Sequence, residues 1–159
     1  MVKVFLGLGS NIGDKEKNIH DALSHLSDFC TIKKISHFYL TEPVGDVKQD
    51  WFLNCCAKIE TKLAPEDLLI HLKAIEQKLG RTKTVKNGPR CIDIDILFYG
   101  DEVVKTKDLL IPHPRIQGRL FVLRPLLDLD PEFIHPVTKI SIQEMYQSRP
   151  WFEKVLLYK

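Results

Sequence analysis

Cys91-Ile92-Asp93-Ile94-Asp95-Ile96-Leu97-Phe98 decides the architecture, because its isoleucines and aspartates alternate with a period of two. An extended chain sends successive side chains to opposite faces. Ile92, Ile94, Ile96 and Phe98 are therefore expected on one face of a strand from Cys91 to Phe98, and Asp93 and Asp95 on the other. Aspartate is a poor strand former, and two like charges on one face repel. Something outside the strand has to reward them.

Outward from this strand, residues 81–89 read as a loop. Before it, Pro65 at a first-turn position and Leu68, Leu72, Ile75 and Leu79, with Gly80 beyond, predict a helix. Phe52 to Glu60 alternates, with Leu53, Cys55, Ala57 and Ile59 on one side and Phe52 and Asn54 on the other, and predicts a half-buried strand. Thr31 to Leu40 is rich in β-branched and aromatic residues and predicts a strand that ends before Pro43 and Gly45. Ile19, Ala22, Leu23 and Leu26 follow the N-cap candidate Asp14 at helical spacing. Val2 to Leu8 is an apolar strand, and Gly9-Ser10-Asn11 reads as a strand-to-helix turn. The order β-α-β-β-α-β predicts an α+β, ferredoxin-like sandwich, with both helices on one face of an antiparallel sheet and the other face uncovered. From Gly100 onward the chain reads as an irregular C-terminal extension packed around that core, with four of the nine prolines before Glu132.

At 159 residues, 44% hydrophobic and 28% charged, the chain has the size and composition of a single globular domain, 1–159. Lys and Arg number 23 against 21 Asp and Glu, a net charge of +2, so no partner is expected to be recognised through a global positive field. The opening Met-Val-Lys-Val-Phe-Leu-Gly is too short for a secretory signal, and no apolar run approaches membrane-spanning length. Cys30, Cys55, Cys56 and Cys91 lack C-x-x-C spacing and read as reduced structural thiols, so a cytoplasmic location is expected.

On the expected open face, Asp93 and Asp95 share space with Phe52 and Asn54. Alternate strand positions lie about 6.7 Å apart, and carboxylates reaching from them can span metal ions roughly 3.5 to 4 Å apart. Magnesium suits such a pair, taking one or two carboxylates and leaving its other positions to water and phosphate oxygens. Taken alone, the pair is equally compatible with solvated side chains at a strand end or with pairing to Arg90. Its surroundings favour the metal: Arg81, Lys83, Lys86 and Arg90 precede it with no acidic residue among them, and cations with a carboxylate-held metal can embrace one polyphosphate. His113-Pro114-Arg115 and Arg119 add a second donor cluster, in which His113 serves as a phosphate donor at most. Phe52 and Phe121 fit either a core or a platform for a flat heterocycle, for which the Asn54 amide would both donate and accept.

Gly7-Leu8-Gly9-Ser10-Asn11-Ile12-Gly13 fails as a dinucleotide fingerprint because its third glycine is one residue late. It fails as a Walker A loop because no Gly-Lys-Ser/Thr follows. Ser10 lacks the G-x-S-x-G elbow of a hydrolase nucleophile.

Gly7-Leu8-Gly9-Ser10-Asn11, Phe52-Leu53-Asn54, Gly88-Pro89-Arg90-Cys91-Ile92-Asp93-Ile94-Asp95-Ile96 and Pro112-His113-Pro114-Arg115, in this order, resemble the 6-hydroxymethyl-7,8-dihydropterin pyrophosphokinase family of the folate pathway. The resemblance implies a magnesium-dependent diphosphotransferase with two Mg²⁺ ions, moving pyrophosphate from ATP to the pterin hydroxymethyl group and releasing AMP. It implies that Asp93 and Asp95 hold the metals and that Arg81 and Arg90 stabilise the transferring phosphates. Either the metal or Asp95 would take the hydroxyl proton. Lys73, Glu76, Lys83, Arg90, Ile96, His113 and Arg119 would contact ATP. Asn54 would bond the pterin, with Phe52 and Phe121 on its two faces and Thr41, Pro43 and Val44 completing the pocket. Two positions depart from the family pattern: Asn87 where a tryptophan often stands, and Lys83 where an arginine does, which keeps the charge but loses the bidentate fork. The loops 81–89 and 43–50 are expected to order when ATP binds. A monomer is expected, with no nucleic-acid or membrane partner. The same element order is that of an RNA-binding module, but two aspartates on the sheet face and the lack of an RNP1-like segment speak against it.

Overall fold

A computed structural model of the chain describes residues 1–43, 48–80 and 91–159. In chain order the elements are β1 (Val2–Ser10), α1 (Lys15–Leu26), β2 (Thr31–Ile35), β3 (Tyr39–Thr41), β4 (Phe52–Thr61), α2 (Pro65–Lys78), β5 (Asp93–Tyr99), the short pair β6 (Val104–Lys105) and β7 (Leu110–Ile111), α3 (Leu120–Leu129), α4 (Ile142–Gln147) and β8 (Val155–Leu157). The main sheet runs β5-β1-β4-β3-β8, with β2 also paired to β4, and every pairing is antiparallel. This is the ferredoxin-like α+β arrangement expected from the element order.

Both expected helices form for the expected reasons. The Asp14 carboxylate caps α1 by accepting from the Lys17 N–H at 3.1 Å. Pro65 opens α2, and Gly80 follows it with a φ of 87°, a left-handed conformation that glycine adopts without strain. Ile19, Ala22, Leu23 and Leu26 from α1 and Leu68, Leu72 and Ile75 from α2 pack on one sheet face against Val4, Leu6, Leu8, Leu53, Cys55, Ala57, Ile59, Ile94 and Ile96.

The second face departs from expectation, since most of it is covered. Helix α3 lays Val122, Leu123, Leu126 and Leu129 on it, meeting Phe5, Cys56, Leu97 and Phe98 in a second apolar cluster that Met145 and Ile142 close from α4. These residues follow a helical spacing in Leu120–Leu129, and Pro125 inside that run does not stop the helix. The segment after Gly100 is thus more regular than its prolines suggest. Covering by α3 also explains why β4 is buried on both faces through Leu53–Ala57 rather than half-buried.

Two strands depart in detail. The stretch 31–40 divides at Ser36, whose hydroxyl accepts from the Cys56 N–H at 2.8 Å, so β2 and β3 pair with successive parts of β4. In β5 the pairing with β1 shifts between Phe5 and Leu6, so Leu6 faces Ile96 while Phe5 faces Phe98. Leu97 is the extra residue. A bulge of one residue inverts the alternation beyond it, and Phe98 joins Leu97 in the second cluster instead of following Ile92, Ile94 and Ile96.

Candidate functional site

Helix α3 leaves one end of this second face open, where the strands β1, β4 and β5 carry polar residues. Asp93 and Asp95 are half-buried on β5, one strand away from β1, and Asn54 lies one strand away on the other side. Between them β1 presents glycine. Gly9 is the partner of both Asn54 and Asp93, and Gly7 is the partner of both Cys56 and Asp95. Both glycines lie inside β1, so their value here is space rather than a turn: a Cβ built on Gly9 collides with the Asn54 side-chain oxygen. The result is a side-chain-free floor flanked by carboxylates on one side and an amide on the other. Gly-x-Gly inside an alternating strand, in phase with Asp-x-Asp, is the signal that would have revealed this floor from the sequence.

A depression opens over the floor, lined by Gly7, Gly9, Thr41, Phe52, Asn54, Asp93, Asp95, Arg119 and Phe121, and by Glu42, Cys56, Leu97 and Val122, which the sequence did not point to. Asn54 is buried and its Nδ2 donates to the Thr41 hydroxyl at 2.6 Å. Phe52 comes from the start of β4 and Phe121 from the first turn of α3, both half-buried. The Arg119 guanidinium stands 5.3 Å from the centre of the Phe121 ring. Burial makes that guanidinium hold its proton less tightly, with Asp95 opposing and Arg115 reinforcing the effect.

A second depression lies along the outer edge of β5, lined by Lys73, Glu76, Asp93, Asp95, Ile96 and His113 among others. Asp93 and Asp95 line both. Glu76 is 4% exposed, and its Oε2 accepts from the Ile94 N–H at 2.8 Å, between the two aspartates in sequence. His113 is held by its own N–H, which donates to the Leu97 carbonyl at 3.0 Å. The Arg115 N–H donates to His113 Nδ1 at 3.2 Å, which leaves Nε2 as the donor of the neutral ring. The ring stays neutral because burial, then Arg119 and Arg115, push its pKa down to about 4.

Of the other expected site residues, Pro43 is half-buried next to Glu42 and does not line the first depression. Val44, Arg81, Lys83 and Arg90 lie outside the described residues, as do Asn87 and the segments 44–47 and 81–90 of the two loops expected to order with ATP. No cluster of three or more His, Cys, Asp or Glu suited to a metal occurs among the described residues. Two hard carboxylates on one depression fit Mg²⁺, which fills its octahedron with water and phosphate oxygens and needs few protein ligands. Among the described residues, no helix is long and apolar enough to cross a membrane. All four cysteines are free thiols, and burial pushes Cys55 up to about 12.

Residues 5–131 match the family model described as 7,8-dihydro-6-hydroxymethylpterin-pyrophosphokinase. The chain is 44% identical to the 2-amino-4-hydroxy-6-hydroxymethyldihydropteridine pyrophosphokinase of Aquifex aeolicus over 91% of its own length and 90% of that protein's. It is 46% identical to the folic acid synthesis protein FOL1 of Dictyostelium discoideum over 92% of its length, where it spans only 22% of the relative. It spans 20% of the Pneumocystis carinii protein of the same description. Among solved structures, wild-type HPPK-DHPS of Plasmodium falciparum with pteroate has the same fold, with a TM-score of 0.73 at 18% identity, over 92% of this chain and 42% of that one.

Proposed function

Because the chain belongs to the 7,8-dihydro-6-hydroxymethylpterin-pyrophosphokinase family, we propose that it transfers the terminal pyrophosphate of ATP to 6-hydroxymethyl-7,8-dihydropterin and releases AMP. The observation that carries this reading is the meeting of two depressions at one pair of carboxylates, Asp93 and Asp95. A group transfer between two substrates needs both held against one reacting centre. In this reading the pterin occupies the depression with Asn54, Phe52 and Phe121, and ATP occupies the one along β5.

The chain's residues then divide the work. Asn54, oriented by Thr41, offers its amide to the pterin edge, while Phe52 and Phe121 supply flat apolar surface for the ring. Lys73, Lys83 and Arg81 meet the polyphosphate. His113 donates from Nε2 to a phosphate oxygen without adding charge, whereas Arg119 and Arg90 add charge where it develops. Asp93 and Asp95 would hold two Mg²⁺ ions, which when bound would supply positive charge against the phosphates. The pterin hydroxymethyl oxygen forms a bond to the β-phosphorus in line with the departing α,β-bridging oxygen, which leaves on AMP, and the hydroxyl proton passes to Asp95 or to water. Glu76 and Ile96 shape the ATP side from α2 and β5, and Thr41 and Val44 bound the pterin side. We further read the chain as one domain, monomeric and cytoplasmic, acting on small molecules with no nucleic-acid or membrane partner. Its four free thiols and near-neutral net charge support this.

Incubating the protein with ATP, Mg²⁺ and the reduced pterin tests the proposal. AMP is the expected product. ADP would make it a simple kinase, and neither product would make it no enzyme of this class.

A further inference from the structure

Thr41 and Glu42 form one wall of the depression read above as the pterin site, yet the strand that carries Thr41 and ends just before Glu42 is only three residues long. Strand β3 is held at both edges. Its inner edge pairs with β4, Tyr39 opposite Asn54 and Thr41 opposite Phe52. Its outer edge pairs with β8, Tyr39 opposite Leu157 and Thr41 opposite Val155. The outer pairing continues past both ends: the Glu42 N–H donates to the Lys154 carbonyl at 3.3 Å, the Lys154 N–H to Glu42 Oε1 at 3.0 Å, and the Tyr158 N–H to the Phe38 carbonyl at 2.8 Å. Leu156 and Leu157 are 54% and 65% exposed. Their side chains add little to the core, so backbone bonds are the main attachment of β8. The Lys159–Glu16 ion pair at its end is exposed and of small worth.

We propose that β8 is a positioning strand for the pterin site: by pairing with β3 from Phe38 to Glu42 it holds Thr41, and through it the Asn54 amide, in the geometry the heterocycle requires. Residues 154–159 lie beyond residues 5–131, the stretch that matches the family model. The inference rests on the pterin assignment of the first depression.

Alternation of the ladder supplies the test. Antiparallel partners exchange bonds at every second residue. Phe38 and Glu42 bond to Tyr158 and Lys154, so the Leu156 N–H faces β3 and the Leu157 N–H faces away. Proline removes a donor and is tolerated only where the donor faces outward. In the full chain, Leu156→Pro should raise KM for the pterin about tenfold, the equivalent of one lost ladder bond, with KM for ATP unchanged. Leu157→Pro should change neither. Equal effects from the two prolines, or a parallel rise in both KM values, would overturn the inference, since general destabilisation does not distinguish substrates. The unaltered chain gives a second measurement, independent of turnover and of whether a variant folds. By reciprocity of linkage, binding the pterin must slow amide hydrogen exchange at Tyr158 and Lys154, and unchanged exchange at saturating pterin refutes the coupling. Failure of the unaltered protein to bind pterin at all would instead count against the functional reading.

Discussion

Replacing Glu76 by alanine should loosen the strand that carries the two aspartates, and the least size of the effect follows from its hydrogen bond to Ile94. The Glu76 side chain is 4% exposed, and its Oε2 accepts the Ile94 N–H at 2.8 Å. Strand β5 is the last of its sheet, so this N–H has no strand on its outer side and a helix side chain takes that place. Deleting the acceptor leaves a buried amide unsatisfied, at a cost of about 1–3 kcal/mol. For a chain of this length each kcal/mol lowers Tm by about 2–4 °C, so Glu76→Ala should melt about 2–12 °C lower. Glu76→Gln keeps an acceptor oxygen and should recover most of the loss. Calorimetry supplies the Tm, and amide exchange at Ile94 supplies the local readout, which should accelerate in Glu76→Ala and much less in Glu76→Gln. Because Asp93 and Asp95 flank Ile94, the concentration of Mg²⁺ needed for half-maximal rate should rise in the same order. An alanine variant that melts within about 1 °C of the unaltered protein, or a glutamine variant no better than alanine, would refute the reasoning.

Asp95→Ala should abolish AMP formation while leaving the melting curve cooperative, and substantial retained turnover would remove Asp95 from the metal site. Gly9→Ala should raise KM for the pterin without changing that for ATP in steady-state assays, because the new methyl displaces the Asn54 amide. His113 is held neutral with a pKa near 4, below its unfolded value of about 6.5. The unfolded chain therefore binds the extra proton between those limits, so stability contributed at this site is full above pH 6.5 and is lost as pH falls toward 4. Tm measured from pH 7 to 4 should fall less steeply in His113→Gln than in the unaltered protein. Cys55, pushed up to about 12 by burial, should resist iodoacetamide at pH 8 in the native protein and react once urea unfolds it, as mass spectrometry can follow.

The parts of this fold that could be read directly are those where local pattern and tertiary environment agree. Ile19, Ala22, Leu23 and Leu26, or Leu68, Leu72 and Ile75, show helical spacing because one face meets the core, and the structure buries those residues. Asp93 and Asp95 stand out because a strand has no local reason to carry them. The misread features are those that neighbours impose. Nothing in Leu97-Phe98 announces that Phe5 and Leu6 will pair one residue out of step with β5, so strict alternation puts Phe98 on the face opposite to the one it occupies. Leu120–Leu129 has helical spacing, but Pro125 and the surrounding prolines masked it.

The same helix shows why the site sits where it does. A ferredoxin-like sheet has two apolar faces to cover, and α1 and α2 cover only one. Helix α3 covers the second from Phe5 to Phe98 but brings Phe121 and, just before it, Arg119 to its starting end, where the cover stops. At that end β1 has glycine at positions 7 and 9, and the flanking strands carry Asp93, Asp95 and Asn54 in register with them. A side chain at Gly9 would collide with the Asn54 amide, and one at Gly7 would pack against Leu97. The opening is therefore made by an absence in one strand and bounded by its two neighbours. This is why Gly-x-Gly, Asn54 and Asp-x-Asp, far apart in sequence, act as one feature: strand register alone brings them side by side, and a shift of one residue in either pairing would send them to opposite faces.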